Sequence, residues 1–224
     1  MKTVVVSIGG SVLLSKEADP DFLKKLAILL QKISAEYKLY IVVGGGRVAR
    51  DYIHLGRTLG IQEDTLDSLG IDITRVNAKL LANLLQNANS EIPQTTDEAK
   101  NLKHHLIIMG GTTPGHSTDM VSAELAEKTK ATRFINATNV DGIYDKDPNK
   151  YPDARQLKVI HIDELIQKYG TAWKSAGKHI AIDAPSLEII KRAGLTTLIV
   201  NGRRLDQLEK AITGQPFDGT TIQV

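Results

Sequence analysis

The sequence predicts an α/β fold: an open, mostly parallel sheet sandwiched between helices. Two observations carry that prediction. Short apolar runs alternate along the chain with longer amphipathic segments, as strands joined by crossover helices require. Three of those runs end on glycine clusters that lead into the next segment, as strand-to-helix turns at the rim of such a sheet do.

Taken in order, the first strand is expected at 3–8. Lys2 followed by an apolar run also fits the start of a secretory leader. However, Gly9-Gly10 breaks the run, and Glu17 and Asp19 stand where small cleavage-site residues belong, so a buried strand is the better reading. A helix is expected at 21–37, where Phe22, Leu26, Leu29, Leu30 and Ile33 fall at helical spacing behind Pro20 and Asp21. Strands follow at 39–43, 106–109, 133–137 and 196–200, with a last one at 219–224. Further helices are expected at 47–59, 71–88, 120–129, 163–169, 185–193 and 204–213. The segment 144–152, rich in Asp, Lys, Asn and Pro, reads as a turn-rich surface excursion. No linker or repeat divides the chain, so residues 1–224 are expected to form a single domain.

Composition narrows the function. The 224 residues are 42% hydrophobic and 24% charged, enough to bury a full core. Lys plus Arg number 28 against 26 Asp plus Glu; a net charge of +2 suggests neither a nucleic-acid nor a membrane partner. Any anion must be recognised locally. With no cysteine, thiolate catalysis, disulfides and cysteine-bound zinc are excluded, in keeping with a reducing, cytoplasmic setting. No run of 18 apolar residues occurs, and the Asn136-Ala137-Thr138 sequon is read as a chance match.

The local signals sit after the strands. Val4–Ile8 leads into Gly9-Gly10-Ser11, the second strand into Gly44-Gly45-Gly46-Arg47, and the third into Gly110-Gly111-Thr112-Thr113-Pro114-Gly115. Glycine lets backbone N–H groups approach a phosphate, and the following helix adds its positive end. Each doublet alone also fits a tight turn; three together favour a phosphate site. The Walker pattern is absent. Gly44 to Ala49 matches dinucleotide-binding spacing, but 61–69 contains no strand ending in an acidic residue, which weakens a nicotinamide reading.

Arg47 and Arg50 fall near a helix start, where a bound anion would stabilise them and a carboxylate such as Asp51 would serve as the plainer partner. Thr112, Thr113, Ser117 and Thr118 give the third loop hydroxyl donors. Thr118 and Asp119 read as an N-cap pair, and Asp119 can also orient donors near a reacting phosphoryl group. Tyr144 and Asp147 could hold a base and ribose. His104, His105 and His116 lack ligand spacing. Trp173 reads as core or interface.

These segments, with Thr138-Asn139-Val140-Asp141-Gly142-Ile143-Tyr144 and Asp147-Pro148, resemble the amino-acid-kinase family over essentially the whole chain, and within it the UMP kinases of the archaeal type. The resemblance implies that Gly9, Gly10 and Ser11, preceded by Ser7 and Ile8, cradle the phosphates of ATP with help from Gly46 and Arg50. Thr138, Tyr144 and Asp147 would hold its adenosine. Gly45, Asp67, Thr112, Thr113, Pro114, Gly115, His116, Ser117 and Thr118 would hold UMP. Asp119 and Arg50 would act in the transfer, and Mg²⁺ would arrive with ATP.

It further implies an acceptor lobe over about 1–130, an ATP lobe over about 131–224, a place in pyrimidine nucleotide biosynthesis, and a homohexamer. Many family members carry lysines where this chain has Ser7 and Asn139. The compensating cation could be Arg50, Lys146, a neighbouring subunit's residue or Mg²⁺ alone. Isopentenyl phosphate kinase is the rival within the fold, but its Ser-Phe-Gly-His segment after the triple glycine is replaced here by Arg47-Val48-Ala49-Arg50. Acetylglutamate kinase and a non-catalytic nucleotide-binding relative are the remaining alternatives.

Overall fold

The computed structural model describes residues 1–14, 19–148, 150–171 and 181–224; Trp173 lies outside the described residues. The first half of the chain forms β1 (Lys2–Ile8), α1 (Gly10–Leu13), α2 (Pro20–Ile33), β2 (Tyr37–Val43), α3 (Gly46–Thr58), α4 (Glu63–Ala82), α5 (Thr96–Asn101), β3 (Leu106–Met109) and α6 (Thr118–Thr129). The second half forms β4 (Arg133–Thr138), β5 (Ile143–Tyr144), β6 (Gln156–Leu157), β7 (Val159–His161), α7 (Ile162–Tyr169), α8 (Ala184–Ala193), β8 (Thr197–Asn201), α9 (Leu205–Thr213) and β9 (Gly219–Gln223).

Among the described residues, seven strands pair in the order β3-β2-β1-β4-β8-β9-β7, and β5 pairs with β6 in a separate antiparallel ribbon. Every pairing in the large sheet is parallel except β8 with β9. Because β3, β2, β1 and β4 are contiguous and parallel, their carboxyl ends share one edge. The three glycine turns and the segment after β4 therefore stand side by side.

Alternation along the strands builds two cores. Val4, Val6 and Ile8 of β1, with Leu39, Ile41 and Val43 of β2, pack against α2, α9 and the end of α4. Val5, Tyr40 and Val42 face the other way, against α5, α6, α7 and α8. Leu26 and Leu30 of α2 are fully buried, and burial of each side chain contributes about 1.5–3 kcal/mol relative to exposure.

Several boundaries differ from the sequence reading, each for a local reason. The helix expected at 21–37 stops at Ile33, where the Ser34 hydroxyl donates to the Gln31 carbonyl and the chain turns so that Tyr37 can start β2 against Lys2. The helix expected at 71–88 instead runs Glu63–Ala82: Glu63 and Asp64 suit its positive end, and successive turn bonds from Leu84 and Leu85 end it. The excursion at 144–152 opens on Tyr144, the last residue of β5, which the β5–β6 ribbon holds opposite Gln156. Asn136 of the sequon is buried in β4.

Candidate active site

The period of two places Ser7 on the α6 side of β1, and its register partner in β4 is Asn136. Helix α6 begins against this pair with Asp119 in its first turn. Ser7 Oγ donates to Asp119 Oδ1 at 3.0 Å, and Asn136 Nδ2 donates to Oδ2 at 3.1 Å. The Asn136 amide also donates to the Ala181 carbonyl at 2.9 Å, which fixes its orientation.

Burial, then the neighbouring Asp183 charge, push the Asp119 carboxyl up to about 7, against the opposing pull of the Ser7 and Asn136 hydrogen bonds. Asp183 caps α8 by accepting from the Ser186 N–H at 2.9 Å, and its other oxygen accepts from the Ser117 hydroxyl. The third loop, the start of α6 and the start of α8 thus meet at a carboxyl pair. Asp183 was not among the expected site residues; its only sequence signal is Asp ahead of Ala184-Pro185, which reads as a helix cap. The cap of α6 is Ser117, which accepts from the Met120 N–H at 3.0 Å, rather than Thr118 with Asp119. Asp119 is thereby freed from capping.

The first two glycine turns pack on each other. A Cβ on Gly10 would lie 2.2 Å from the Gly46 nitrogen, and Gly46 itself adopts a φ of +68° that favours glycine. Helix α4 holds the turns from behind. Asn77 Nδ2 donates to the Gly44 carbonyl at 2.9 Å, while Thr74 Oγ1 accepts from the Gly111 N–H at 2.6 Å.

Between α3, α4 and the third loop opens a cleft of about 510 Å³. Of the residues expected to hold the acceptor, Gly45, Asp67, Thr113, Pro114, Gly115, His116, Ser117 and Thr118 line it. Thr112 stands behind, its carbonyl accepting from Arg75 Nη2 at 3.2 Å. Asp67 Oδ2 accepts from the Gly115 N–H at 2.9 Å and so pins the loop tip.

Gly46 and Arg50, expected beside ATP, also line this cleft; Arg50 Nη2 lies 3.4 Å from Ser11 Oγ and spans the gap to the first turn. Arg47 pairs with Asp51 on the surface, the plainer of its two readings and an ion pair of little energetic weight.

On the far side of β1, Thr138 ends β4 with its hydroxyl 3.4 Å from Asn139 Oδ1. Tyr144 lies on β5, and Asp147 follows with Lys150 Nζ at 3.9 Å. Ile8 is core, and the Ser7 hydroxyl is directed to Asp119. Lys146 pairs with Asp153 at 2.6 Å and lies 5.4 Å from the centre of the Tyr151 ring, which engages it within the excursion. No cluster of three or more His, Asp or Glu residues suited to a metal occurs among the described residues.

Comparison with known proteins gives the same picture. Residues 2–201 match the model of the amino acid kinase family. The chain is 44% identical over 222 residues to a uridylate kinase of Methanobrevibacter smithii, covering 98% of each protein. It is 42% identical to one of Thermoplasma volcanium, covering 99% of this chain and 98% of the relative. The crystal structure of uridylate kinase from Archaeoglobus fulgidus superposes with a TM-score of 0.87 at 38% identity, over 99% of this chain and 100% of that one. An isopentenyl phosphate kinase shares the fold at 19% identity with a TM-score of 0.72. With glycine turns, a cleft and a carboxyl pair arranged on one sheet edge, and relatives aligned over nearly their whole length, this chain belongs to the amino acid kinase family.

Proposed function

We propose that the chain is a UMP kinase, which moves the γ-phosphoryl group of ATP to the phosphate of UMP and yields UDP and ADP. The observation that carries this is the single sheet edge on which a glycine turn, a cleft roomy enough for a nucleotide and the Asp119 carboxyl stand together, in a chain matched over 98% of its length by a uridylate kinase.

In this reading Gly9, Gly10 and Ser11 receive the ATP phosphates over Ser7 and Ile8, and Thr138, Tyr144 and Asp147 take the adenosine. UMP fills the cleft against Gly45, Asp67 and the 112–118 loop. Residues up to about 130 serve the acceptor, and those beyond serve ATP. An acceptor phosphate oxygen forms a bond to the γ-phosphorus as the bond to the β,γ-bridging oxygen breaks, so the protein contributes alignment and charge rather than covalent chemistry. Arg50 reaches from the cleft towards the first turn and is placed to hold phosphate oxygens of both substrates.

Asp119 and Asp183 stand together as a carboxyl pair, an oxygen donor set that fits a Mg²⁺ ion carried in with ATP. Mg²⁺ would offset charge on the transferring group. Asp119, held in orientation by Ser7 and Asn136, would be favoured in its ionised form beside that positive charge. With Lys146 engaged by Asp153, Arg50 is the cation we assign to the role of the missing lysines.

We place the enzyme in the cytoplasm, in pyrimidine nucleotide synthesis leading to UTP and CTP, with no nucleic-acid or membrane partner. Among the described residues no helix is long and apolar enough to cross a membrane. The family resemblance implies a homohexamer, and an exposed stripe along α3 and its C-cap, Val48, Tyr52, Leu55 and Leu59, with four-three-four spacing, offers a face for helix packing between copies. Val76 and Leu80 are likewise exposed on α4. A coupled assay for ADP release with UMP, with isopentenyl phosphate and with no acceptor tests the reading. Turnover with UMP alone supports it, turnover with isopentenyl phosphate favours the rival, and no turnover favours a non-catalytic relative.

A further inference from the structure

The turn that leaves β8 touches two segments that an ATP site needs in register, and none of its residues figures in the site described above. On one side the Gly202 N–H donates to the Thr138 carbonyl at 2.8 Å, and Asn201 Nδ2 donates to Asp141 Oδ1 at 3.0 Å. On the other, a Cβ on Gly202 would lie 2.7 Å from Val12 Cγ1, so α1 rests directly on the turn. Asn201 Oδ1 accepts from the Arg203 N–H at 3.0 Å and sets the direction of the arginine.

Arg203 completes the bracket. Its Nη1 donates to the Val12 carbonyl at 3.4 Å, its Nη2 pairs with the Asp19 carboxylate, and its guanidinium carbon lies 3.8 Å from the centre of the Phe22 ring. Asp19 in turn caps α2 by accepting from the Phe22 N–H at 2.9 Å; that bond and Arg203 hold its carboxyl below the usual range. One planar fork therefore joins α1 to the start of α2, a task for which the point charge of a lysine is poorly shaped.

The physical need is plain. Helix α1 is a single turn of four residues, and an isolated turn does not form in water because its nucleation cost exceeds the return from one hydrogen bond. Its orientation must come from its contacts. Arg203 occupies a carbonyl at the end of that turn opposite Gly9 and Gly10, where a positive charge suits the helix dipole.

We propose that the Asn201-Gly202-Arg203 turn is a positioning element for ATP, with Arg203 holding the Gly9–Ser11 backbone at the angle and height that the donor phosphates require. This rests on reading that backbone as the phosphate cradle, and wild-type turnover of ATP with UMP tests that reading separately.

Arg203→Met, Arg203→Lys and Asp19→Asn are compared with wild type for KM of each substrate, for kcat, and for ATP affinity by equilibrium titration without acceptor. Arg203→Met raises KM and Kd for ATP about tenfold, with KM for UMP and kcat changed by less than about threefold. Arg203→Lys recovers only part of the loss. Asp19→Asn, which keeps the cap and loses the ion pair, gives a smaller shift in the same direction, and it carries the test if circular dichroism shows that Arg203→Met does not fold. Unchanged ATP affinity in both Arg203→Met and Asp19→Asn, a parallel rise in KM for both substrates, or full recovery in Arg203→Lys overturns the proposal.

Discussion

Replacing Asp119 by asparagine removes one charge from the centre of the site and little else. Asparagine Oδ1 can accept from Asn136, now 3.1 Å from the carboxylate, and the Ser7 hydroxyl can rotate to accept from the new amide. Because Asp119 does not line the acceptor cleft, the dissociation constant of UMP should change by less than about threefold. The transfer step should slow by about tenfold to a thousandfold, or ~1.4–4 kcal/mol of lost transition-state stabilisation. Single-turnover kinetics with Mg²⁺ and ATP saturating separate the two. A normal transfer rate would refute the argument and leave Asp119 a bystander.

The same substitution has a signed effect on stability. An unfolded aspartate titrates near 3.8, whereas folding pushes this carboxyl up to about 7, so ionisation is unfavourable in the folded state. Each pH unit between those values removes about 1.4 kcal/mol, and on the order of 4 kcal/mol is lost by neutrality. Stability from this group is therefore greatest below pH 4, falls through pH 7 and is level beyond. Asp119→Asn should melt above wild type at pH 8, with the gap closing towards pH 4. A variant less stable at pH 8 would contradict the assignment.

Three further substitutions probe other contacts. Gly10→Ala puts a methyl 2.2 Å from the Gly46 nitrogen and should cost about 3 kcal/mol or more in urea unfolding, since backbone on both sides blocks relief. Asp183→Asn keeps the α8 cap but removes the charge next to Asp119, so the acid limb of the kcat–pH profile should move to lower pH; an unmoved limb would detach Asp183 from the site. Leu55→Glu places a charge in the exposed α3 stripe and should reduce the oligomer measured by light scattering, while an unaltered mass would show that this face is not the interface.

How much was legible follows from which forces act locally. The strands at 106–109 and 133–137 stand out as apolar runs because both faces of the sheet are covered, and the glycine turns stand out because they follow them. The start of α4 was hidden: polar and apolar residues mix through 61–69, and only Leu66 and Ile71 face inward. Its role in bracing the turns through Thr74 and Asn77 is a tertiary fact.

Gly45 was expected beside UMP by resemblance and lines the cleft; a Cβ there would also meet Ala49 Cβ at 2.5 Å, a packing constraint within α3 that the sequence does not display. Ser7 was expected to meet ATP by resemblance, while the period of two and the register with Asn136 direct its hydroxyl to Asp119. Asp183, 64 residues downstream of Asp119, is brought beside it only by the packing of α6 on α8.

The central claim is that the cleft selects UMP as the acceptor of a phosphoryl group from ATP. An equimolar mixture of UMP, CMP and AMP with γ-labelled ATP and Mg²⁺ tests it directly, because the initial product ratio reads relative kcat/KM. Labelled UDP should exceed CDP and ADP labelled at its β-phosphate by at least about tenfold, ~1.4 kcal/mol of discrimination; equal labelling of UDP and CDP would contradict the claim.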